Sequence, residues 1–224
     1  MSRRAAARLA GLAFLLYIAV GILTLVLSSR AMAGHGVEAK LASVAQHMLD
    51  LRIAVLFVLF TSFCALVLGV TLWGLTREQD PVLAMLALTC RVCEGLAGAL
   101  GVQRTMGLLW LTGPGAPDAA TARTLGTWLL EGQVSGVAAI FFSVGSVLFA
   151  WLLLRGRMIP APLAWLGVVA SAAAVVVLPL EFVDLFPGRW IWYIWLPLAA
   201  YEIPLALWLL FKGAAAPVPN RAPA

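Results

Sequence analysis

The sequence predicts an all-α polytopic membrane protein, with six transmembrane helices and a short amphipathic helix between spans one and two. Three observations predict it. The 224 residues are 63% hydrophobic and only 11% charged, with a mean hydropathy of +1.00, whereas soluble domains carry about 25% charged residues. The apolar residues fall into six runs of the length that crosses a bilayer, about 20 residues each. Turn formers and charges separate those runs. Six spans with short connections nearly exhaust the chain, so 1–213 reads as one membrane-embedded domain.

The first run covers 9–27, behind a basic head of Arg3, Arg4 and Arg8. Its end, Ala31-Met32-Ala33-Gly34, imitates a signal-peptidase site, but the run is longer than the roughly 7–15 residues of a signal peptide. A retained helix is expected. The polar connection 34–50 carries Leu41, Val44 and Met48, which with Leu51 recur at helical spacing, with Glu38, Lys40 and Gln46 turned away. That pattern predicts a helix lying on the membrane surface. His35 and His47 lie here, outside any deep apolar run, and read as solvent-facing.

The second span runs over 51–75 and ends at Arg77-Glu78-Gln79-Asp80-Pro81. Pro81 suits the opening of the third, where a missing N–H costs nothing. The third, 82–112, stops at a run of turn formers, Thr112-Gly113-Pro114-Gly115-Ala116-Pro117. A polar loop holding Asp118 and Arg123 leads to the fourth, about 126–154. There Gly132 and Gly136 present a small-residue face, and Ser135, Ser143 and Ser146 add hydroxyls. Pro160 and Pro162 open the fifth, which runs to about 180. Trp190, Trp192, Tyr193 and Trp195 mark the interface where the sixth enters. That span ends at Lys212-Gly213, and 214–224, rich in Pro and Ala, is expected to be a disordered tail.

With the N-terminus inside, Arg3, Arg4, Arg8, Arg77, Arg155, Arg157, Lys212 and Arg221 fall inside. Arg30, Lys40, Arg52, Arg123 and Arg189 fall outside. The bias favours both termini in the cytoplasm.

The chemistry concentrates in Arg91-Val92-Cys93-Glu94-Gly95-Leu96-Ala97-Gly98-Ala99-Leu100-Gly101. Arg91 lies about 15 Å from the start of its span, near mid-bilayer. Arg91, Glu94, Gly98 and Gly101 share one helical face, so the charges must meet other helices. Glu202, ten residues before Lys212, falls at matching depth. Arg104 and Glu131 share a level nearer the outer side and are expected to pair across spans three and four. Arg91 is expected to pair with Glu202 as the floor of any internal cavity. Glu94 is then the carboxyl expected to keep its proton, as a neutral hydrogen-bonding residue or a proton carrier.

Catalytic and metal templates fail. There is no H-E-x-x-H, no deep His to ligate metal or haem or to serve a Ser nucleophile, and no mid-span Lys. Cys64, Cys90 and Cys93 lack partners at metal-ligand spacing and read as small, reduced, buried residues. No cofactor is implied, and no basic cluster of nucleic-acid type appears. Membrane lipid is the expected partner, with a small-molecule ligand or a protein alongside it.

Three segments together resemble one family. Arg91-Val92-Cys93-Glu94-Gly95-Leu96 is similar to its central R-x-x-E helix. Phe141-Phe142-Ser143-Val144-Gly145-Ser146, continuing through Leu154-Arg155-Gly156-Arg157-Met158-Ile159-Pro160, is similar to its fourth-span signature. Tyr201-Glu202-Ile203-Pro204-Leu205-Ala206-Leu207-Trp208-Leu209-Leu210-Phe211-Lys212-Gly213 is similar to its closing helix, and Ala7-Arg8-Leu9-Ala10-Gly11-Leu12 to its opening. On these the chain is identified as a member of the bacterial membrane proteins grouped as domain of unknown function 4386. The resemblance covers about 6–213 and implies a bacterial multi-helix membrane domain. It brings no activity, substrate or cofactor. Two classes remain open. One is a receptor or transporter of a small ligand or proton around Arg91, and the other is an interaction protein whose buried pairs only hold helices in register.

Overall fold

The computed structural model describes residues 1–131, 135–183, 185 and 191–217. Its helices are α1 Arg3–Ala31, α2 Val37–Gln46, α3 Met48–Thr76, α4 Pro81–Leu100, α5 Val102–Leu111, α6 Ala119–Glu131, α7 Ser135–Arg155, α8 Ala161–Phe182 and α9 Ile191–Phe211. No strand occurs among the described residues. Among the described residues, six helical segments are long and apolar enough to cross a membrane: α1, α3, α4 with α5, α7, α8 and α9. Large apolar side chains such as Leu12, Leu23, Phe63, Val70, Val169 and Leu207 stay exposed on these helices. Such faces suit a lipid solvent, and the chain is a multi-pass membrane protein.

Local chemistry sets the helix ends. Ser2 accepts from the Ala5 amide at the start of α1. Asp80 accepts from Val82 and Leu83 ahead of Pro81 at the start of α4. Asp118 accepts from the amides of Ala120 and Thr121 and from the Thr121 hydroxyl. Those donors hold its carboxyl below the usual carboxylate range. Such caps satisfy the orphan donors of a first turn.

The spans close into a ring. α1 packs on α3, α3 on α4, α4 on α7, α7 on α8, α8 on α9, and α9 returns to α1. Small residues permit the close passages. A Cβ on Gly11 would come within 2.6 Å of Ala206 O and Leu210 N, both backbone atoms of α9. A Cβ on Gly167 of α8 would sit 2.4 Å from the Tyr201 ring. Glycine is thus obligatory where two helical backbones touch.

Arg3 and residues 213–216 lie together at one end of the ring. Arg3 donates to Ala215 O at 2.9 Å and the Ala215 amide donates to Met158 O at 3.0 Å. The first residues of the expected tail are therefore tied to the bundle, while 218–224 fall outside the described residues. The interior here is closely packed: Ala7, Ala10, Phe14, Leu68, Leu72, Phe149, Leu153, Leu205 and Leu209 form one buried cluster, and a pocket of about 490 Å³ lies at its rim beside Arg3, Met158, Trp208 and Lys212. The opposite end is capped by α2 and α6, with Ala31, Val44, Leu51, Leu108 and Leu109 as a smaller cluster.

Two expectations change here. The stretch at 119–125, expected as loop, is the first half of α6. The fourth span is α7 alone, beginning after 132–134, which lie outside the described residues. Apolar Leu125, Trp128, Leu129 and Leu130 made the end of α6 look like the start of a span. They instead serve a capping helix: Leu129 and Leu130 pack on the smaller cluster, and a Cβ on Gly126 would meet Leu41 of α2 at 2.9 Å. The third span is also interrupted. Between α4 and α5 the Gly101 amide is shared among the carbonyls of Ala97, Ala99 and Gly98, as expected where glycine weakens a helix.

Candidate functional site

Arg91, on α4, is 1% exposed and fills the centre of the ring. Small neighbours make room for it. A Cβ on Gly69 of α3 would stand 2.9 Å from Arg91 Cβ, and one on Gly145 of α7 would stand 3.5 Å from Arg91 Cγ. Its Nη1 donates to Glu94 Oε2 at 2.9 Å and its Nη2 donates to Ser146 Oγ of α7 at 2.9 Å. The guanidinium carbon lies 4.8 Å from the Phe142 ring centroid and 5.9 Å from that of Phe14. A permanently charged group far from water is thereby held by an anion, a hydroxyl and two aromatic faces.

Glu94 is 4% exposed and receives a second donor, the Tyr17 hydroxyl of α1, at 2.7 Å from Oε1. Glu202 of α9 is 6% exposed and its Oε1 has no hydrogen-bond partner. The network thus ties α1, α4 and α7 together and leaves one carboxyl outside it.

This corrects the expected pairing. Arg91 bonds Glu94 rather than Glu202, and Glu202, not Glu94, is the carboxyl outside the hydrogen-bonded network. The i,i+3 spacing brings Glu94 to the guanidinium within one turn of the same helix. Tyr17 then makes Glu94 the better-satisfied anion. Sequence reasoning missed Tyr17. The available signal was a lone tyrosine inside an otherwise apolar span, since a buried phenol needs a partner for its O–H. Tyr17→Phe removes a hydrogen bond to a charged group, so a loss of about 1.5–3 kcal/mol is expected. Thermal unfolding in detergent checks it, and an unchanged midpoint would mean that this contact does not stabilise the fold.

At the level of α5 and α6, Arg104 donates through Nε to Leu129 O and through Nη2 to Leu130 O at 2.7 Å. A cation on the last carbonyls of α6 is where a helix terminus favours one. Whether Glu131 also takes part, as expected from their shared level, concerns a side chain outside the described residues. The three cysteines are free thiols, Cys64 and Cys90 buried and Cys93 partly so. No metal-binding cluster of His, Cys, Asp or Glu occurs among the described residues.

Between the charged centre and the capped end the helices leave open pockets. A cavity of about 520 Å³ is bounded by Thr24, Ser28, Lys40, Arg104 and Thr105 among others. A second of about 520 Å³ is bounded by Tyr17, Gly21, Glu94, Phe142, Trp195 and Glu202 among others. A narrow space of about 70 Å³ beside Tyr17, Ser62, Glu94 and Gly98 lies between them, and Ala138 borders all three. Glu94 and Glu202 thus form the floor, with Arg91 against Glu94. Gly95 and Gly98 keep α4 close to α3: a Cβ on Gly95 would meet Ser62 O at 3.0 Å.

A ring of six apolar helices, closely packed inside at the end that holds Arg3 and Ala215 and opening into pockets towards the other, with charged residues at the boundary, defines a polytopic helical membrane protein with a buried charged centre. The sequence profile described as domain of unknown function (DUF4386) matches residues 9–213, and the chain belongs to that family. No curated protein and no solved structure matches it.

Proposed function

We propose that this is a small-ligand-binding protein of a bacterial plasma membrane, multi-pass with both termini cytoplasmic, whose lumen admits its ligand from the outer side. The observation that carries the reading is the cavity of about 520 Å³ that reaches Glu94 and Glu202. Ligand pockets are typically about 300–1,000 Å³, mostly apolar, with a few placed polar groups. An ionisable residue at this depth that faces a cavity marks a substrate path more often than packing.

A second reading has one observation in its favour. Arg91, Glu94, Tyr17 and Ser146 bond one another across α1, α4 and α7, as a purely structural clasp would in an assembly protein. A clasp gives no reason for Glu202 to stand on a cavity wall outside the network, so the ligand reading is preferred. Native mass spectrometry after gentle detergent extraction tests it. A non-covalent small molecule retained by the parent and lost in Gly21→Leu supports the proposal. Gly21 borders the cavity and has nothing within 4 Å of an added Cβ, so leucine there fills space without touching a charge. Identical spectra for both proteins, free of any adduct, would favour the clasp.

The orientation rests on the Lys and Arg bias, eight cytoplasmic against five outer residues. Single cysteines at 34–46 or 115–122 are expected to react with an impermeant maleimide from outside. Reaction at 78–80 or 156–158 instead would invert the topology.

A further inference from the structure

We infer that the cavity between α1, α7 and α9 takes an organic monocation, an apolar or aromatic body carrying one ammonium-like charge, with Glu202 as its counterion. The inference rests on the ligand-binding reading above and names the class of ligand. Three observations select the charge.

Among the described residues the floor holds one cation, Arg91, against two carboxylates, Glu94 and Glu202, so with all three ionised one negative charge remains. Glu94 is fully engaged by Arg91 Nη1 at 2.9 Å and by the Tyr17 hydroxyl at 2.7 Å. Glu202 is a wall of the cavity and is 94% buried, and its Oε1, itself a buried atom, has no hydrogen-bond partner. A buried carboxylate is stable when a charge and hydrogen bonds compensate it, and a ligand cation supplies both or the first alone. An anion placed there would meet Glu202 directly, while Arg91 does not border the cavity: its Nη1 and Nη2 are occupied by Glu94 and Ser146 and its unpartnered Nε is buried.

The walls select the body. Tyr17, Phe142 and Trp195 border the cavity together with aliphatic Ile18, Ile22 and Leu25. Phe142 and Trp195 stand 5.9 Å apart, tilted at 43°. Aromatic faces beside a carboxylate recognise quaternary or protonated amines through the ring quadrupole, and the effect grows once the cation is desolvated. The same walls disfavour a small hydrated ion, which would lose its water shell without gaining oxygen ligands.

The test uses two probes matched in shape and opposite in charge, tetraphenylphosphonium and tetraphenylborate, titrated into purified full-length protein by calorimetry. The expected result is saturable binding of the phosphonium, one per chain, with the borate at least about tenfold weaker. Glu202→Gln should weaken phosphonium binding by at least about tenfold, since an unpaired buried charge is what the probe satisfies. Gly21→Leu should weaken both probes. Borate binding as tight as the phosphonium, and still blocked by Gly21→Leu, would overturn the cation while leaving the ligand site standing. If neither probe binds saturably, or if Gly21→Leu has no effect on either, the cavity is not a ligand site and both readings fall. Should Glu202→Gln not yield folded protein, the probe pair with the parent and Gly21→Leu decides alone.

Discussion

Arg91→Leu should be the most damaging single substitution in the chain. Leucine fills part of the volume but leaves Glu94 and Glu202 in an apolar ring with no cation, and removes a donor from Ser146. Removing one member of a buried ion pair costs about 3–5 kcal/mol in soluble proteins, because the surviving charge stays uncompensated. A loss of that size is a large share of a typical folding free energy, so poor expression or a much lower unfolding midpoint is expected. Changing both residues, Arg91→Leu with Glu94→Leu, removes the stranded charge along with its partner and should recover part of the loss. Glu202→Gln should cost less than Arg91→Leu, because Oε1 of Glu202 has no hydrogen bond to lose. Parental stability in Arg91→Leu would deprive the network of its structural role.

Gly11→Val should be the second most damaging. The added Cβ would lie 2.6 Å from Ala206 O and Leu210 N. These are backbone atoms of a helix and cannot rotate aside. Either α1 and α9 separate or the helices distort, and overpacking of this kind costs about 1–3 kcal/mol. The α1–α9 contact is the one that closes the ring, so its loss should also broaden the gel-filtration profile. Gly21→Ala, ten residues along the same helix, meets nothing within 4 Å and serves as the control. Equal unfolding midpoints for Gly11→Val and Gly21→Ala would show that the close passage does not hold the ring shut.

The spans were legible because bilayer thickness imposes a length on every apolar run, and because prolines and glycines sit where the runs end. Asp80-Pro81 and Pro160-Ala161-Pro162 are such boundaries, and α4 and α8 start there. The division between α6 and α7 was not legible. The apolar residues of 125–130 carry no mark that separates a capping helix from the first turns of a span. Depth along each helix was legible, which brought Arg91, Glu94 and Glu202 into one group. Rotation about each helix was not. Pairing depends on which face α9 turns to α4, and that is set by close passages such as Gly167 against Tyr201, which act between helices far apart in the chain. Tyr17 illustrates the same point: its depth is readable, but its approach to Glu94 depends on how α1 sits against α3 and α4.

On the ligand-binding reading the ring is open to water at the end opposite Arg3 and Ala215, down to the charged floor. Ala138 borders every one of the three luminal spaces, so Ala138→Cys, in a chain with Cys64, Cys90 and Cys93 replaced by alanine or serine, reports on it directly. A membrane-impermeant maleimide applied from outside to intact cells is predicted to label that cysteine, and to label it much less when Gly21→Leu is added. No labelling of Ala138→Cys in intact cells, together with labelling of outer control cysteines at 34–46, would mean a sealed core and contradict the account.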